Sequence, residues 1–453
     1  MRGKTTSPNP RVLLKFSRRD GASVMLGVPT CRSTAEGSMP DLAKIRALLD
    51  ARRPNHSLPQ EFYADPDVFA FDLAAIYGES WILVGFEVEV PDPGSYLAVT
   101  IGRSPVVVVR GQDGALRGFY NSCRHRGSQI CTTGHGRHSW LICPYHQWTY
   151  RLDGTLASAP RMTGLDLSRH GLRPIHVGTV SGAVYVCLAD DPPAFDTFRD
   201  QVGPLLAPHN LSNAKLAFES TLVERANWKL VMENARECYH CIARHPELSL
   251  TFPVKGRRTV QFADVQRFEG FRGRMAAAGL LTGPVEGPWW QAMRFPLNEG
   301  MTTLSTDGAM ACRKLMCDVE SGDIGSLRWA LEPHCFAHAT ADVTFLFSAL
   351  PTGPEETVVV SKWLVHKDAV EGVDYDIDRL TALWTTTNLQ DRDLCETNQR
   401  GVNSLGYVPG PYNQETETLV MRFVDWYCDA AERYLDRVAG KKGDRGTIRA
   451  RSQ

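Results

Sequence analysis

The chain has 453 residues, 43 % of them hydrophobic and 22 % charged, with 50 Lys and Arg against 51 Asp and Glu for a net charge of −1. That length holds two or three domains and a sizeable core, and so even a charge balance excludes an electrostatic footprint for nucleic acid or an anionic membrane surface. No uninterrupted apolar run approaches the ~18–20 residues needed to cross a bilayer, and the twelve cysteines are spread along a long chain, which points to metal binding before a disulfide framework.

Residues 1–40 read as a disordered basic extension. Through Arg32 they carry Arg2, Lys4, Arg11, Lys15, Arg18 and Arg19 against Asp20, without a lasting hydrophobic period, and Met39 is the natural start of the folded part. An organelle-targeting peptide shares that composition, whereas a secretory signal would need an apolar h-region before its cleavage site. Leu42–Ala51 and Pro66–Tyr77 have helical patterning. From Trp81 to about Ala189 the chain changes texture, to short strand-like runs broken by turn residues. Val106–Arg110 is followed by Asp113-Gly114, Trp148–Leu152 by Asp153-Gly154, and Gly182–Leu188 is a further β-branched run. Asp-Gly between such runs signals hairpins, so 81–190 is expected to be an all-β domain. Beyond it helices and strands mix, with strands predicted at Thr303–Thr306, Val343–Leu350 and Thr357–Leu364. Leu419, Phe423, Trp426, Tyr427, Ala430 and Tyr434 mark one face of a closing helix. The fold class is α+β, with 41–80 and 191–440 forming a second domain and 441–453 a tail.

Two sequence clusters carry chemistry. In the first, Cys123-Arg124-His125 and Cys143-Pro144-Tyr145-His146 stand seventeen residues apart. Each supplies one thiolate and one imidazole, so two loop tips can hold one centre between them. Zinc is one reading, although zinc fingers pair Cys with Cys and His with His. The mixed pairs suit a two-iron cluster of the Rieske kind, with both thiolates on one iron and both imidazoles on the other. Cys131 fits neither pair, and the remaining cysteines are expected to be mostly structural thiols.

The second cluster is Asn227–Pro246. Trp228, Val231, Ala235 and Cys238 recur at helical steps, and Glu237 and His240, at i and i+3, would share one helix face. His245 lies about 140° further round an ideal helix, so it converges with His240 only if the helix bends or ends between them. Pro246 gives a reason, because the residue before proline is pushed out of the α region. Two imidazoles at a helix end suit iron(II) held on one face by two histidines and a carboxylate. Asp391, Asp393 and Glu396, near the start of a further probable helix, compete for the third place, and local spacing does not choose among them.

These motifs, in this order and separation, resemble the oxygenase α subunits of Rieske-type non-haem iron oxygenases over residues 45–437. Within them the chain is most similar to the quaternary ammonium branch, the glycine betaine monooxygenase and stachydrine (proline betaine) demethylase oxygenase components. The resemblance rests on Cys123–Ser128, Cys143–Tyr150, Glu237–His240, Lys362–Asp376 and Gln399-Arg400-Gly401. It implies an all-β Rieske [2Fe-2S] domain with Cys123, His125, Cys143 and His146 as ligands. It also implies a helix-grip catalytic domain, a large antiparallel sheet covered by helices, where His240, His245 and Asp391 bind iron(II). Glu237 would be the acid bridging the two centres, in the place where ring-hydroxylating enzymes usually carry Asp. A homotrimer is implied, in which one subunit's cluster feeds the neighbour's iron, with NAD(P)H acting only through a separate flavin- or ferredoxin-type reductase.

The expected reaction is oxidative N-demethylation. A quaternary ammonium has no lone pair, so oxidation with O2 must begin at an N-methyl C–H bond, and the hydroxymethyl product collapses to formaldehyde and a tertiary amine. The alternatives are hydroxylation of choline, carnitine or an aromatic ring, and a zinc-bound interaction module without catalysis. A methylated cation favours an aromatic cage, for which Trp289, Trp290, Phe295 and Tyr239 are candidates. A betaine carboxylate would want an arginine or backbone donors. The Gly287–Trp290 stretch departs from the pattern of the glycine betaine enzymes. A cytoplasmic protein binding neither nucleic acid nor membrane is expected.

Overall fold

Short β-branched runs punctuated by glycine turns build a seven-stranded antiparallel sheet in the first half of the computed structural model. That structure describes residues 40–449, apart from 133, 256, 257, 260–264 and 320. The extension expected over 1–40 lies outside the described residues, apart from Pro40. Helices α1 (Leu42–Asp50), α2 (Glu61–Ala64) and α3 (Pro66–Asp72) come first. Asp41 and Asp65 cap the starts of α1 and α3, each side chain accepting from two backbone N–H groups.

The first sheet contains β1 (Ile82–Phe86), β2 (Ser95–Ile101), β3 (Ser104–Arg110), β4 (Leu116–Tyr120), β5 (His135–Arg137), β9 (Pro174–Val180) and β10 (Ala183–Cys187), in the order β1-β10-β9-β4-β3-β2-β5. A three-stranded sheet, β6 (Leu141–Ile142), β7 (Thr149–Tyr150) and β8 (Leu156–Ser158), stands beside it. The strand predicted at Trp148–Leu152 is thus only two residues long. Both Asp-Gly pairs make turns, with Gly114 at φ +78° and Gly154 at φ +86°, conformations that glycine adopts without steric cost.

The second half opens with α4 (Asp196–Leu206) and β11 (Ala214–Glu224), followed by α5 (Trp228–Asn234), α6 (Cys241–Arg244) and α7 (Pro246–Thr251). A small pair, β12 (Val254–Lys255) and β13 (Arg258–Thr259), precedes α8 (Val265–Ala277). Then come β14 (Val285–Glu286), β15 (Trp290–Phe295), β16 (Ser326–Leu331), β17 (Cys335–Ala339), β18 (Thr344–Gly353) and β19 (Glu356–His366). With β11 they form a second seven-stranded antiparallel sheet, β11-β19-β18-β17-β16-β15-β14. Helices α9 (Ile377–Val402) and α10 (Thr418–Arg449) complete the domain, and α10 runs on through most of the expected tail.

Register gives this sheet two different faces. Met293, Arg328, His338, Phe345 and Trp363 lie directly opposite one another across β15–β19, with Phe336 and Phe347 paired one step along. The other face carries Ala292, Leu327, Trp329, Leu331, Ala337 and Leu346, which pack with Phe198, Val202 and Leu205 of α4. Period-two alternation keeps the two sets apart.

Two predicted elements differ in the structure. Thr303–Thr306 is not a strand but a turn. Ser305 Oγ donates to the Ala309 carbonyl (2.8 Å), with Asp307 Oδ1 also within 3.1 Å of it, and Gly308 sits at φ +72°, so side-chain bonds to nearby groups displace a ladder. The helix expected through Cys238 ends at Asn234. Arg236 is drawn into the core, where it pairs with Glu332 and donates to the Leu331 carbonyl at 3.0 Å.

Candidate metal centres and substrate cavity

The loop after β4 and the loop between β6 and β7 have the same backbone pattern. Gly127 N–H donates to the Cys123 carbonyl and Gln147 N–H to the Cys143 carbonyl, at 2.9 and 3.0 Å, with Gly127 and Gln147 both in the left-handed region. Cys123 N–H reaches the Ser128 carbonyl and Cys143 N–H the Trp148 carbonyl, both at 2.9 Å. Two near-identical turns therefore present Cys123 and Cys143 inward and His125 and His146 toward the edge. The thiols are buried and the imidazoles partly exposed, with ring centroids 4.7 Å apart. Trp148 stacks on His125 at 4.9 Å, and the Tyr150 hydroxyl lies 3.2 Å from Cys123 Sγ.

The donor set fits a cluster. His125 Nδ1 is buried without a hydrogen-bond partner, an arrangement rare for a polar atom that has no ligand to meet. Burial, with the neighbouring Cys143 adding to it, pushes the Cys123 thiol up; coordination to iron would supply the positive charge that stabilises a thiolate there.

The second centre forms where α5 gives way to turns. Glu237 and His240 are not on one helix, yet they meet. The Glu237 carboxylate accepts from His240 Nδ1 through Oε1 and from Tyr239 N–H through Oε2. His240 starts α6 and His245 ends it in a non-helical conformation (φ −122°, ψ 68°), immediately before Pro246 opens α7. This bend is the one the pre-proline rule predicts, and it brings the two Nε2 atoms within 3.0 Å. Asp391 arrives from the middle of the 26-residue α9, not near its start as expected. Its Oδ1 lies 3.3 Å from His240 Nε2 and 2.9 Å from His245 Nε2. The competing acids point elsewhere: Glu396 accepts from Arg225 N–H at 3.1 Å, and Asp393 pairs with Arg392 at 3.0 Å.

Three donor atoms 2.9–3.3 Å apart match a metal's coordination face; ligands at ~2.1 Å and right angles stand ~3.0 Å from each other. Tautomers support the same reading. Each Nδ1 faces an oxygen acceptor, Glu237 for His240 and Gln390 Oε1 (2.7 Å) for His245. Neutral imidazoles therefore turn unprotonated Nε2 atoms toward Asp391 Oδ1, which is itself buried without a hydrogen bond. Such a convergence of lone pairs calls for a cation. Burial disfavours a charge on His240, but Asp391 and Glu237 outweigh burial and hold its pKa up at about 9, so the surroundings favour positive charge at this point. Cys241 Sγ lies within 4.8 Å of the imidazole nitrogens but is bonded to Cys238, so it offers no thiolate. These two, among the cysteines expected to be mostly structural thiols, are bonded to each other on either side of Tyr239 and His240.

The triad opens into a cavity of about 310 Å³. Its aromatic wall is Phe252, Phe295, Phe336, Phe347 and Trp384, with His338 beside them, and Phe336 and Phe347 stack at 4.9 Å. Of the predicted cage residues only Phe295 lines it. Trp289 and Trp290 pack with Phe198 on the sheet's other face, and Tyr239 is exposed. Alternation explains the misplacement, since Gln291 and Met293 take the cavity side of β15. Glu224, at the end of β11, also lines the cavity with both carboxylate oxygens unpartnered; burial, then the charges of Asp391 and Glu396, push it up to about 8.

A family model described as the Rieske [2Fe-2S] domain matches residues 80–171, and one described as the ring hydroxylating alpha subunit (catalytic domain) matches residues 212–433. The chain is 44 % identical over 402 residues to the glycine betaine monooxygenase oxygenase subunit of Chromohalobacter salexigens, covering 86 % of this chain and 89 % of that one. With the glycine betaine monooxygenase oxygenase subunit of Pseudomonas aeruginosa PAO1 it shares 41 % identity over 401 residues, 86 % of this chain and 92 % of the other. A solved quaternary ammonium Rieske monooxygenase in complex with L-carnitine has the same fold, at TM-score 0.64 and 21 % identity over 85 % of this chain and 98 % of that one.

Proposed function

Because the chain belongs to the family of Rieske-type oxygenase α subunits that includes the glycine betaine monooxygenase oxygenase subunits, we propose that it N-demethylates a small betaine, glycine betaine or proline betaine. It is the oxygenase component of a Rieske non-haem iron monooxygenase, with a [2Fe-2S] cluster and a mononuclear iron. Cys123, His125, Cys143 and His146 would hold the cluster and His240, His245 and Asp391 the iron. When bound, the cluster relays electrons and the iron activates dioxygen.

The rest falls to this chain's side chains. Phe295, Phe336, Phe347 and Trp384 offer an aromatic surface to a methylated ammonium, which needs no hydrogen-bond donor and favours such surfaces. Glu237 fixes the His240 tautomer, and its position at the end of the iron loop suits an acid that also reaches a neighbour's cluster. In balance, one N-methyl group, dioxygen, two electrons and two protons give a hydroxymethyl group and water. Its C–N bond then breaks to leave formaldehyde, a tertiary amine and one proton.

A homotrimer with head-to-tail contacts is part of the same reading. Exposed apolar residues stand at both centres, Trp140, Ile142 and Tyr145 around the cluster loops and Tyr239 and Ile242 on the iron loop. A separate flavin- or ferredoxin-type reductase would draw on NAD(P)H. Nine of the eleven cysteines among the described residues are buried and unpaired, which suits a reducing compartment, the cytoplasm, and no helix among the described residues is long and apolar enough to cross a membrane.

The observation that carries this reading is the imidazole–imidazole–carboxylate triad opening onto an aromatic-walled cavity. Its test is formaldehyde release by the reductase-coupled enzyme across glycine betaine, proline betaine, carnitine and choline. Turnover of a betaine supports it; release from none of the four overturns it.

A further inference from the structure

The aromatic wall accounts for a substrate's cationic end and leaves the opposite charge of a betaine without a partner. Two arginines line the cavity. Arg236 is committed to Glu332 and to the Leu331 carbonyl. The guanidinium of Arg328, on β16, makes no hydrogen bond and no ion pair among the described residues, and lies over the Phe336 ring at 5.5 Å. Burial and the like charge of Arg236, only partly offset by Glu332, bring its pKa down to about 9, which still leaves it charged at neutral pH.

A second unmet donor stands beside it. Gln291 lies opposite Ala330 and Met293 opposite Arg328, so Gln291 and Arg328 are diagonal neighbours on the cavity face. Gln291 Nε2 is buried without a hydrogen-bond partner, and buried donors are otherwise almost always satisfied. One lining acid, Glu286, stands opposite Gln291 but is exposed and pairs with Arg422; the acids without a cationic partner stand at the other end. Glu224 ends β11, one edge of the sheet, and Asp391 comes from α9, whose Asn388 donates to Ser361 on the adjacent β19 at 3.0 Å. Arg328 and Gln291 sit on β16 and β15, near the opposite edge. With Glu286 neutralised by Arg422, the uncompensated acids stand at the triad and the unpaired donors toward the opposite edge of the sheet.

We propose that Arg328, with Gln291, binds the carboxylate of a zwitterionic substrate and so directs its N-methyl groups toward His240, His245 and Asp391. The inference rests on the betaine reading and narrows it to substrates carrying both charges. A guanidinium presents paired donors to the two carboxylate oxygens, and an amide beside it adds a third; choline offers them one uncharged hydroxyl in place of a carboxylate.

The test uses the full-length holoenzyme with its reductase. For Arg328→Gln, KM for glycine betaine should rise roughly 10- to 100-fold, the range expected when a charge-assisted hydrogen bond is lost, with a smaller change in kcat. The dissociation constant of choline, titrated into the anaerobic enzyme, should move less than about twofold on the same scale, and Arg328→Lys should recover part of the loss. Cluster absorbance and the melting temperature monitor folding. If Arg328→Gln does not fold, Gln291→Leu decides by the same comparison: a several-fold rise for glycine betaine alone supports the proposal. Equal effects on betaine and choline, or no effect on betaine, overturn it. If the wild type releases no formaldehyde from any betaine, it is the functional reading that fails; wild-type turnover with an unchanged KM in the variants removes the carboxylate site alone.

Discussion

Gln390 Oε1 accepts a 2.7 Å hydrogen bond from Nδ1 of His245, while the next residue, Asp391, meets Nε2 of the same imidazole at 2.9 Å. Consecutive residues of α9 thus address both nitrogens of one ring, and Gln390 fixes which of them keeps a lone pair for the proposed iron. Gln390→Leu should weaken iron(II) retention by about 10- to 100-fold, the usual cost of losing such a supporting bond. Iron content after timed exposure to a chelator measures this, and the cluster's visible absorbance should stay intact.

Glu237 touches no cluster ligand within the chain, so its proposed bridging role has a distinct signature. Glu237→Gln keeps an oxygen for His240 Nδ1 but loses the negative charge and the acceptor for Tyr239 N–H. Both centres should load, while single-turnover reoxidation of the reduced cluster in the presence of substrate should slow by about tenfold or more. Reoxidation at the wild-type rate would confine Glu237 to orienting His240.

Local chemistry made the ligand loops legible from sequence. Cys123-Arg124-His125, Cys143–His146 and the His245-Pro246 bend each follow from a few adjacent residues, and the structure shows the same turns and the same bend. Elements set by long-range packing were not legible. The helix expected to carry Glu237 stops because Arg236 is buried against Glu332, almost a hundred residues away. Asp391 could be chosen by resemblance but not by spacing, since it meets His245 only once α9 crosses the sheet. The cavity wall is non-local in the same way: Phe336 and Phe347 become neighbours through the β17–β18 register, and no short window of sequence contains that register.

Trp290 and Phe336 test this assignment of faces. Trp290 is buried against Trp289 and Phe198 and donates through Nε1 to Gln201 at 3.2 Å, outside the cavity. Trp290→Leu should cost stability, with about 3–5 kcal/mol as an upper range for losing a large aromatic, and should change KM less than about twofold. Phe336→Leu retains most of the apolar volume but removes a ring face, so KM for a betaine should rise roughly 3- to 30-fold. Chemical denaturation and steady-state kinetics on both variants separate the two roles, and the opposite pattern would return Trp290 to the cage.

Glu233 provides a pH test that does not involve the metals. Its two carboxylate oxygens each accept from a tyrosine hydroxyl, Tyr63 and Tyr412, both at 2.9 Å. Burial raises its pKa to about 7, although both hydrogen bonds and Lys229 pull the other way. The folded state therefore keeps a proton that the unfolded chain releases near pH 4.5, so the contribution is fully present below that pH. It is lost as pH rises through about 7 and is flat above it. The side chain is only partly buried, so solvent screening reduces the effect to about 2 kcal/mol. Glu233→Gln removes the titration while leaving a neutral isostere. Denaturant midpoints of wild type and variant at pH 5 and pH 7.5 should show the variant gaining on the wild type by about that amount at the higher pH, and a difference that does not change with pH would place the Glu233 carboxyl in the ordinary range.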